Sequence, residues 1–356
     1  MPETVGRKTG VRLKNAVSDM IFVSRAYLVT KPFYSGAGVI LLFHRVRPKD
    51  DRKRISWNAG LEVTPEYLEG VIKFFKERDY AIISPDEMIE TLRRKRPATK
   101  FVIFTFDDGY ADNLAHAYPV FKRHQAPFTV YVTTGFADKK DIPWWYLLEG
   151  LMLENDSVIV ESADQTCEFD CALADAKERV FRSIYSSVMA DSGESQLSRI
   201  RRMFCRYDLE RYDGRNRLML DWDEIAALSR DDLVTIGAHT VNHLLLSNLS
   251  DSAAMREMLE SKKALESRIG REVRHFSYPF GSSGQAGARE FDMAKRCGFL
   301  TAVTSRIGNI FPGHGRRLES LPRTTMAEEF GAKRLEFLTS GLTHCINNKF
   351  RKTTVL

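Results

Sequence analysis

No stretch of this chain reaches the ~18 uninterrupted apolar residues that a membrane-spanning helix requires. The best candidate, Met20-Ile-Phe-Val-Ser-Arg-Ala-Tyr-Leu-Val29, is split by Arg25. No convincing small-residue cleavage site follows it, so it does not read as a secretory leader. Cysteine is sparse and odd in number, five in 356 residues. Cys167 and Cys171 have no second pair to complete a zinc site, and no disulfide framework emerges, which favours a reducing compartment. An excess of charge of one sign is nearly absent too. A net +6 is a weak hint of an anionic partner or membrane surface and gives no argument for nucleic acid. Fixed-period repeats and low-complexity segments are also missing. What remains, 43% hydrophobic and 28% charged residues, is the composition of a globular chain. Its length suits one large α/β domain with an insertion, or two smaller domains.

Against those absences one stretch stands out, Phe101-Val-Ile-Phe-Thr-Phe-Asp-Asp-Gly-Tyr110. A run of apolar and β-branched residues leads straight into two carboxylates and a glycine. That is the pattern of a buried strand delivering Asp107 and Asp108 to its carboxyl end, with Gly109 permitting a sharp turn. Similar strands are expected at Gly38–Val46, Ala81–Ser84, Phe128–Thr133, Leu233–His239, from His275, and at Phe299–Thr304. Between them lie helical patterns opened by Thr64-Pro65 and by the capping sequences at Ser84-Pro-Asp-Glu87 and Asp221-Trp-Asp-Glu224. Strand alternating with helix specifies an α/β fold, either a parallel sheet or a β/α barrel. The rhythm breaks over residues 137–220, where amphipathic helical patterning and no strong strand suggest a helical insertion. Residues 1–37 form a basic N-terminal helical segment, residues 38–341 the main domain, and residues 342–356 a basic tail. The N-terminal segment reads first as a helix packed on the domain rim and second as an amphipathic helix on a membrane surface. The expected location is cytoplasmic, with peripheral membrane contact as the alternative. Trp144 and Trp145 suit packing of the insertion better than stacking on a sugar.

A carboxylate pair at a buried strand end is costly unless something positive holds it. His239-Thr-Val-Asn-His243 places two imidazoles four residues apart, also after a strand of the same series. Carboxyl ends of parallel strands gather at one face, where sites are built. Two imidazoles and one carboxylate suit a zinc-like divalent ion, whereas calcium would want oxygen ligands. The second carboxylate could then serve as a general base. Which of the two aspartates takes which task, the spacing leaves open.

Thr105-Phe-Asp-Asp-Gly-Tyr110 followed by His239-Thr-Val-Asn-His243 resembles the first two motifs of the NodB-type polysaccharide deacetylases, carbohydrate esterase family four. The resemblance covers roughly residues 38–341 around the insertion. It implies a distorted β/α barrel and metal-dependent removal of N-acetyl groups from N-acetylglucosamine oligomers or polymers, with zinc as the expected metal and an N-acetylated saccharide as partner. Carried over, Asp107 becomes the base, and Asp108, His239 and His243 the metal ligands. Tyr278-Pro279-Phe280 resembles a third motif, whose backbone N–H after the proline, here that of Phe280, binds the oxyanion. Two departures stand out. Ser277 occupies the place of an arginine that orients the base, and Arg323 is the expected substitute. The late motif supplying the general acid is missing, so His314 is the first candidate for proton donor, with His275 and His44 behind it. The competing expectations are an amide hydrolase on a non-sugar substrate and a catalytically silent carbohydrate-binding protein.

Overall fold

The computed structural model describes residues 17–94, 99–162, 165–190, 195–212 and 218–352. Residues 1–16 of the basic N-terminal segment and the last four residues of the chain lie outside them.

The apolar runs do form strands: β1 (Gly38–Phe43), β2 (Phe101–Phe106), β3 (Phe128–Val132), β4 (Val234–Ala238), β5 (His275–Ser277) and β6 (Thr301–Val303), and a short strand not among those expected, β7 (Thr324–Thr325), follows. They lie in the order β6-β5-β4-β3-β2-β1-β7, every pair parallel, with Ala81–Ile82 added beside the start of β2. β1 and β2 pair over their whole length, from Gly38 opposite Phe101 to Phe43 opposite Phe106. At Gly38 a β-carbon would sit 2.4 Å from the Phe101 ring, so only glycine admits that approach. The two edges of the sheet are joined by one segment. Leu321 bridges Val303 of β6, and three residues later Thr324 pairs Leu41 of β1. The sheet thereby curls into the distorted barrel that the motifs implied.

Alternation along each strand sorts its side chains. Val39, Leu41 and Phe43 of β1, with Val102, Phe104 and Phe106 of β2, pack beneath the surrounding helices against Leu68, Ile72 and Phe75. The intervening residues Ile40, Phe101, Ile103 and Tyr131 meet Val303 and Leu321 in a second, smaller core. These opposite-facing positions fill the interior of the curled sheet. Helix starts follow their capping chemistry. Thr64 accepts from the Tyr67 N–H at 3.1 Å, and the boxes at Ser84 and Asp221 are both formed.

Residues 137–220 are not wholly helical as expected. Helices Trp144–Glu154, Ala174–Ala190 and Gln196–Met203 are interrupted by an antiparallel hairpin, Ser157–Glu161 with Thr166–Asp170. Its inner positions, Val158 and Val160, feed a separate core with Trp144, Leu148, Phe181, Ile200 and Phe204. Nor is the C-terminal stretch simply a tail, because Leu342–Asn347 is helical and packs on residues 17–35.

Phe181 is fully buried at the centre of the insertion core. Phe181→Ala should cost about 3–5 kcal/mol, read from urea denaturation. A loss below about 1 kcal/mol would mean that this core does not hold the insertion together.

Candidate active site

The strand alternation determines where Asp107 points. Phe101, Ile103 and Thr105 face the interior of the sheet, and Asp107 continues that series. It therefore meets Arg323, which enters from the segment that closes the barrel. The guanidinium grips the carboxylate with both arms, Nη1 to Oδ1 and Nη2 to Oδ2, each at 2.7 Å. Arg323 is itself fixed by the Thr304 carbonyl at 2.9 Å, by Thr105 Oγ1 at 3.1 Å and by Ser277 Oγ at 2.9 Å. Ser277 also donates to Asp107 Oδ2 at 3.1 Å. Ser277 and the distant Arg323 thus bond both the Asp107 carboxylate and each other. Burial would raise the Asp107 carboxyl, but Arg323 and then His239 outweigh it and hold it below the usual carboxylate range.

Asp108 leaves the alternation. Its φ of 74° and that of Gly109, 84°, turn the chain sharply after β2. The Asp108 carboxylate is thereby delivered to the two histidines. His239 Nε2 and His243 Nε2 each lie 3.3 Å from Asp108 Oδ1, and all three side chains are buried. One ligand atom from each lies within 4.8 Å of the others. His239 is oriented by its Nδ1, which is 2.8 Å from the Ser277 carbonyl oxygen, so Nε2 faces the cluster. The intervening loop is held by Glu257 from the helix Asp251–Ile269. Its carboxylate accepts from the N–H groups of Val241 and Asn242 at 2.9 Å and from the Asn242 amide at 2.6 Å. Sequence reasoning passed over Glu257, because an acidic residue on a charged amphipathic helix looks like part of a solvated face.

These residues fit a divalent ion. Asp108 Oδ1 is a buried oxygen with no hydrogen-bond donor. Burial pushes the Asp108 carboxyl upward, but the charge of His243 and the close approach of both imidazoles carry it well below its ordinary value. The result is an ionised carboxylate facing two imidazole nitrogens, the donor set of an open zinc-like site.

The cluster lies at the floor of a cavity of about 760 Å3. His44, following β1, lines it beside Asp107 and Asp108, and burial lowers the His44 pKa despite the two aspartates. Phe280 lines it as well, its ring 4.8 Å from that of His243. Its backbone has φ 62°, and among the described residues no acceptor takes its N–H. Tyr278 and Pro279 do not line the cavity. The Tyr278 ring packs on Phe276 and Phe291, and its hydroxyl donates to the Glu319 carbonyl at 2.9 Å. The expectation for His314 needs correcting. It sits after Ile310, which bonds Ala37 and Gly38 at the amino end of β1, whereas Asp107 follows the carboxyl end of β2. Its ring accepts from the Phe311 N–H at 2.9 Å, and burial pushes its pKa down to about 4. His275 likewise begins β5 and bonds Thr301 Oγ1 at 2.8 Å. The cavity's outer wall comes from the insertion, through Trp145, Arg182, Tyr185 and Met189, and from Trp57 and Leu61. Trp145 packs as expected and also touches the site, its ring 5.3 Å from that of His243.

Comparison with known proteins bears on the family and the fold. The chain is 22% identical over 255 residues to a putative polysaccharide deacetylase, YxkH, of Bacillus subtilis, covering 71% of this chain but only 62% of that protein. In fold it is similar to the Streptococcus pyogenes deacetylase PplD in complex with acetate, with a TM-score of 0.56 at 20% identity, over 83% of this chain and 95% of that one. IcaB from Ammonifex degensii is similar too, with a TM-score of 0.55 at 16% identity, over 86% and 98% of the two chains. The family model described as polysaccharide deacetylase matches residues 94–301, more than half of the sequence, and the chain belongs to that family.

Proposed function

We propose that this protein hydrolyses N-acetyl groups from N-acetylglucosamine-containing oligo- or polysaccharide, releasing acetate and leaving a free amine. The observation that carries this reading is the juxtaposition of an arginine-locked carboxylate, Asp107, with the Asp108–His239–His243 cluster on the floor of one cavity. Zinc matches the donor set best. When bound, such an ion supplies Lewis acidity and makes water a nucleophile near neutral pH.

The protein's own residues divide the remaining work. Asp107, ionised and unable to rotate away from Arg323, is the proton acceptor for attacking water. The unpaired N–H of Phe280 is the donor for the oxyanion, an interaction typically worth about 10²–10³ in rate. His44 lines the cavity beside the two carboxylates and lies outside the Asp108–His239–His243 cluster, which supports giving it the role first expected of His314, protonation of the departing amine. Trp57, Trp145 and Tyr185 offer flat apolar surfaces to the sugar. The acetate in the PplD structure is the product this chemistry would release.

Asp107→Asn should lower acetate release from N-acetylglucosamine oligomers by at least about 10³-fold while leaving metal content, measured by atomic emission, unchanged. Full activity in this variant would remove Asp107 from the mechanism. Chelation should abolish acetate release, and added zinc should restore it. Saccharide binding that persists with no acetate formed under any metal would instead identify a silent binder.

His44→Ala should cut hydrolysis of the N-acetyl substrate by about 10²–10⁴-fold. Its effect on an aryl acetate should be much smaller, because a phenolate leaves without needing a proton. Equal losses on both substrates would rule out proton donation by His44. Arg323→Lys keeps the charge but loses the two-armed grip. The expected result is a fall in kcat of roughly tenfold or more with KM within about twofold, measured by the same acetate assay.

A further inference from the structure

Eight of the eleven exposed large hydrophobic side chains among the described residues come from two short stretches, residues 17–33 and 346–350. Met20, Val23, Val29 and Phe33 belong to the first, Ile346 and Phe350 to the second, each at least 59% exposed. Scattered singly, such residues need no explanation, but a contiguous group does. The two stretches are physically joined. The Tyr34 hydroxyl donates to the Phe350 carbonyl at 3.2 Å, and the Tyr34 and Phe350 rings meet edge to face. Tyr27 and Phe22 pack on Phe337, Thr30 Oγ1 donates to the Ser340 carbonyl at 3.1 Å, and Lys333 pairs with Asp19 at 2.6 Å.

The unpaired charge in these two stretches has one sign. Arg25, Lys31, Lys349, Arg351 and Lys352 all lie in the two stretches or next to them, exposed and without an ion pair among the described residues. Lys100 stands beside Lys31. The only acid in residues 17–35 or 342–352 is Asp19, already neutralised by Lys333. Exposed apolar side chains carried on the same two stretches as unpaired lysine and arginine match a bilayer that offers anionic headgroups above an acyl interior. No described helix is long and apolar enough to cross a membrane, so the contact would be interfacial.

We propose that residues 17–35 and 342–352 form one composite docking surface for an anionic lipid bilayer. The first stretch leads directly into the amino end of β1, and the catalytic cavity opens at the carboxyl ends of the strands. Docking through this surface therefore leaves the cavity facing the aqueous phase.

The full chain should co-sediment with phosphatidylglycerol-containing vesicles, bind pure phosphatidylcholine vesicles far more weakly, and release as salt rises. Two variants, Val23→Asp/Phe33→Asp/Phe350→Asp and Lys31→Glu/Lys349→Glu/Arg351→Glu, should each weaken binding on the order of tenfold or more. Both sets alter exposed side chains, and unchanged circular dichroism and unchanged acetate release from a soluble substrate would show that the fold survives. The proposal is overturned if the full chain ignores anionic vesicles at low salt, or if either variant binds as tightly as the parent. It is also overturned if the variants instead abolish a self-association seen by sedimentation velocity without vesicles, which would make the patch a contact between copies.

Discussion

The site depends on the two-armed bond between Arg323 and Asp107. Both groups are almost fully buried, 1% and 4% exposed, where an unpaired charge would be costly. Breaking a buried pair by removing one partner typically costs about 3–5 kcal/mol, a large part of a domain's stability. The bond also spans the architecture. Asp107 ends a strand in the middle of the sheet, whereas Arg323 lies on the short segment that joins β6 to β1. Closure of the sheet and ionisation of Asp107 are thus one structural event. A barrel that failed to close would leave Asp107 facing the interior without a counter-ion.

Beside that pair, Asp108 departs from the regular strand conformation. The strand supplies strict alternation, which would send adjacent aspartates to opposite faces and leave only one of them useful. The left-handed turn at Asp108 and Gly109 breaks the alternation at the last possible residue. Asp107 keeps its interior position, and Asp108 swings to the histidines. Glu257 does the corresponding work for the second loop, holding the Val241 and Asn242 amides so that His243 returns to the side of His239. The insertion completes the cavity from outside, and Trp145 belongs to both its packing core and the wall near His243.

Much of this could be read from the letters alone. The strands at the centre of the barrel are apolar runs with turn signals at their ends, and Asp107, Asp108 and His239 follow two of them directly, with His243 four residues further on. Arg323 was reached only through the resemblance, whose third motif has Ser277 where an arginine would orient the base; the residues themselves did not point to it. His314 was misplaced because a histidine near a strand does not reveal which end of the barrel it occupies. His44, at the carboxyl end of β1, had no motif to distinguish it. The hairpin Ser157–Glu161/Thr166–Asp170 escaped notice because its second strand alternates between half-buried and exposed positions without a fully buried residue. Glu257 acts through backbone amides, and those leave no trace in the sequence.

Four non-glycine residues hold positive φ angles at or next to the site, Asp108, His243 and Phe280 on the cavity wall at 74°, 52° and 62° and Thr240 between the two histidines at 64°. L-residues enter that region at a cost of order 1–3 kcal/mol each, and glycine would relieve it. Yet glycine has neither a carboxylate nor an imidazole, so at Asp108 and His243 relaxation would erase the ligand. Selection for thermal robustness and selection for turnover therefore pull in opposite directions at these positions. A lineage drifting towards a sturdier scaffold would be expected to lose its chemistry at these turns first.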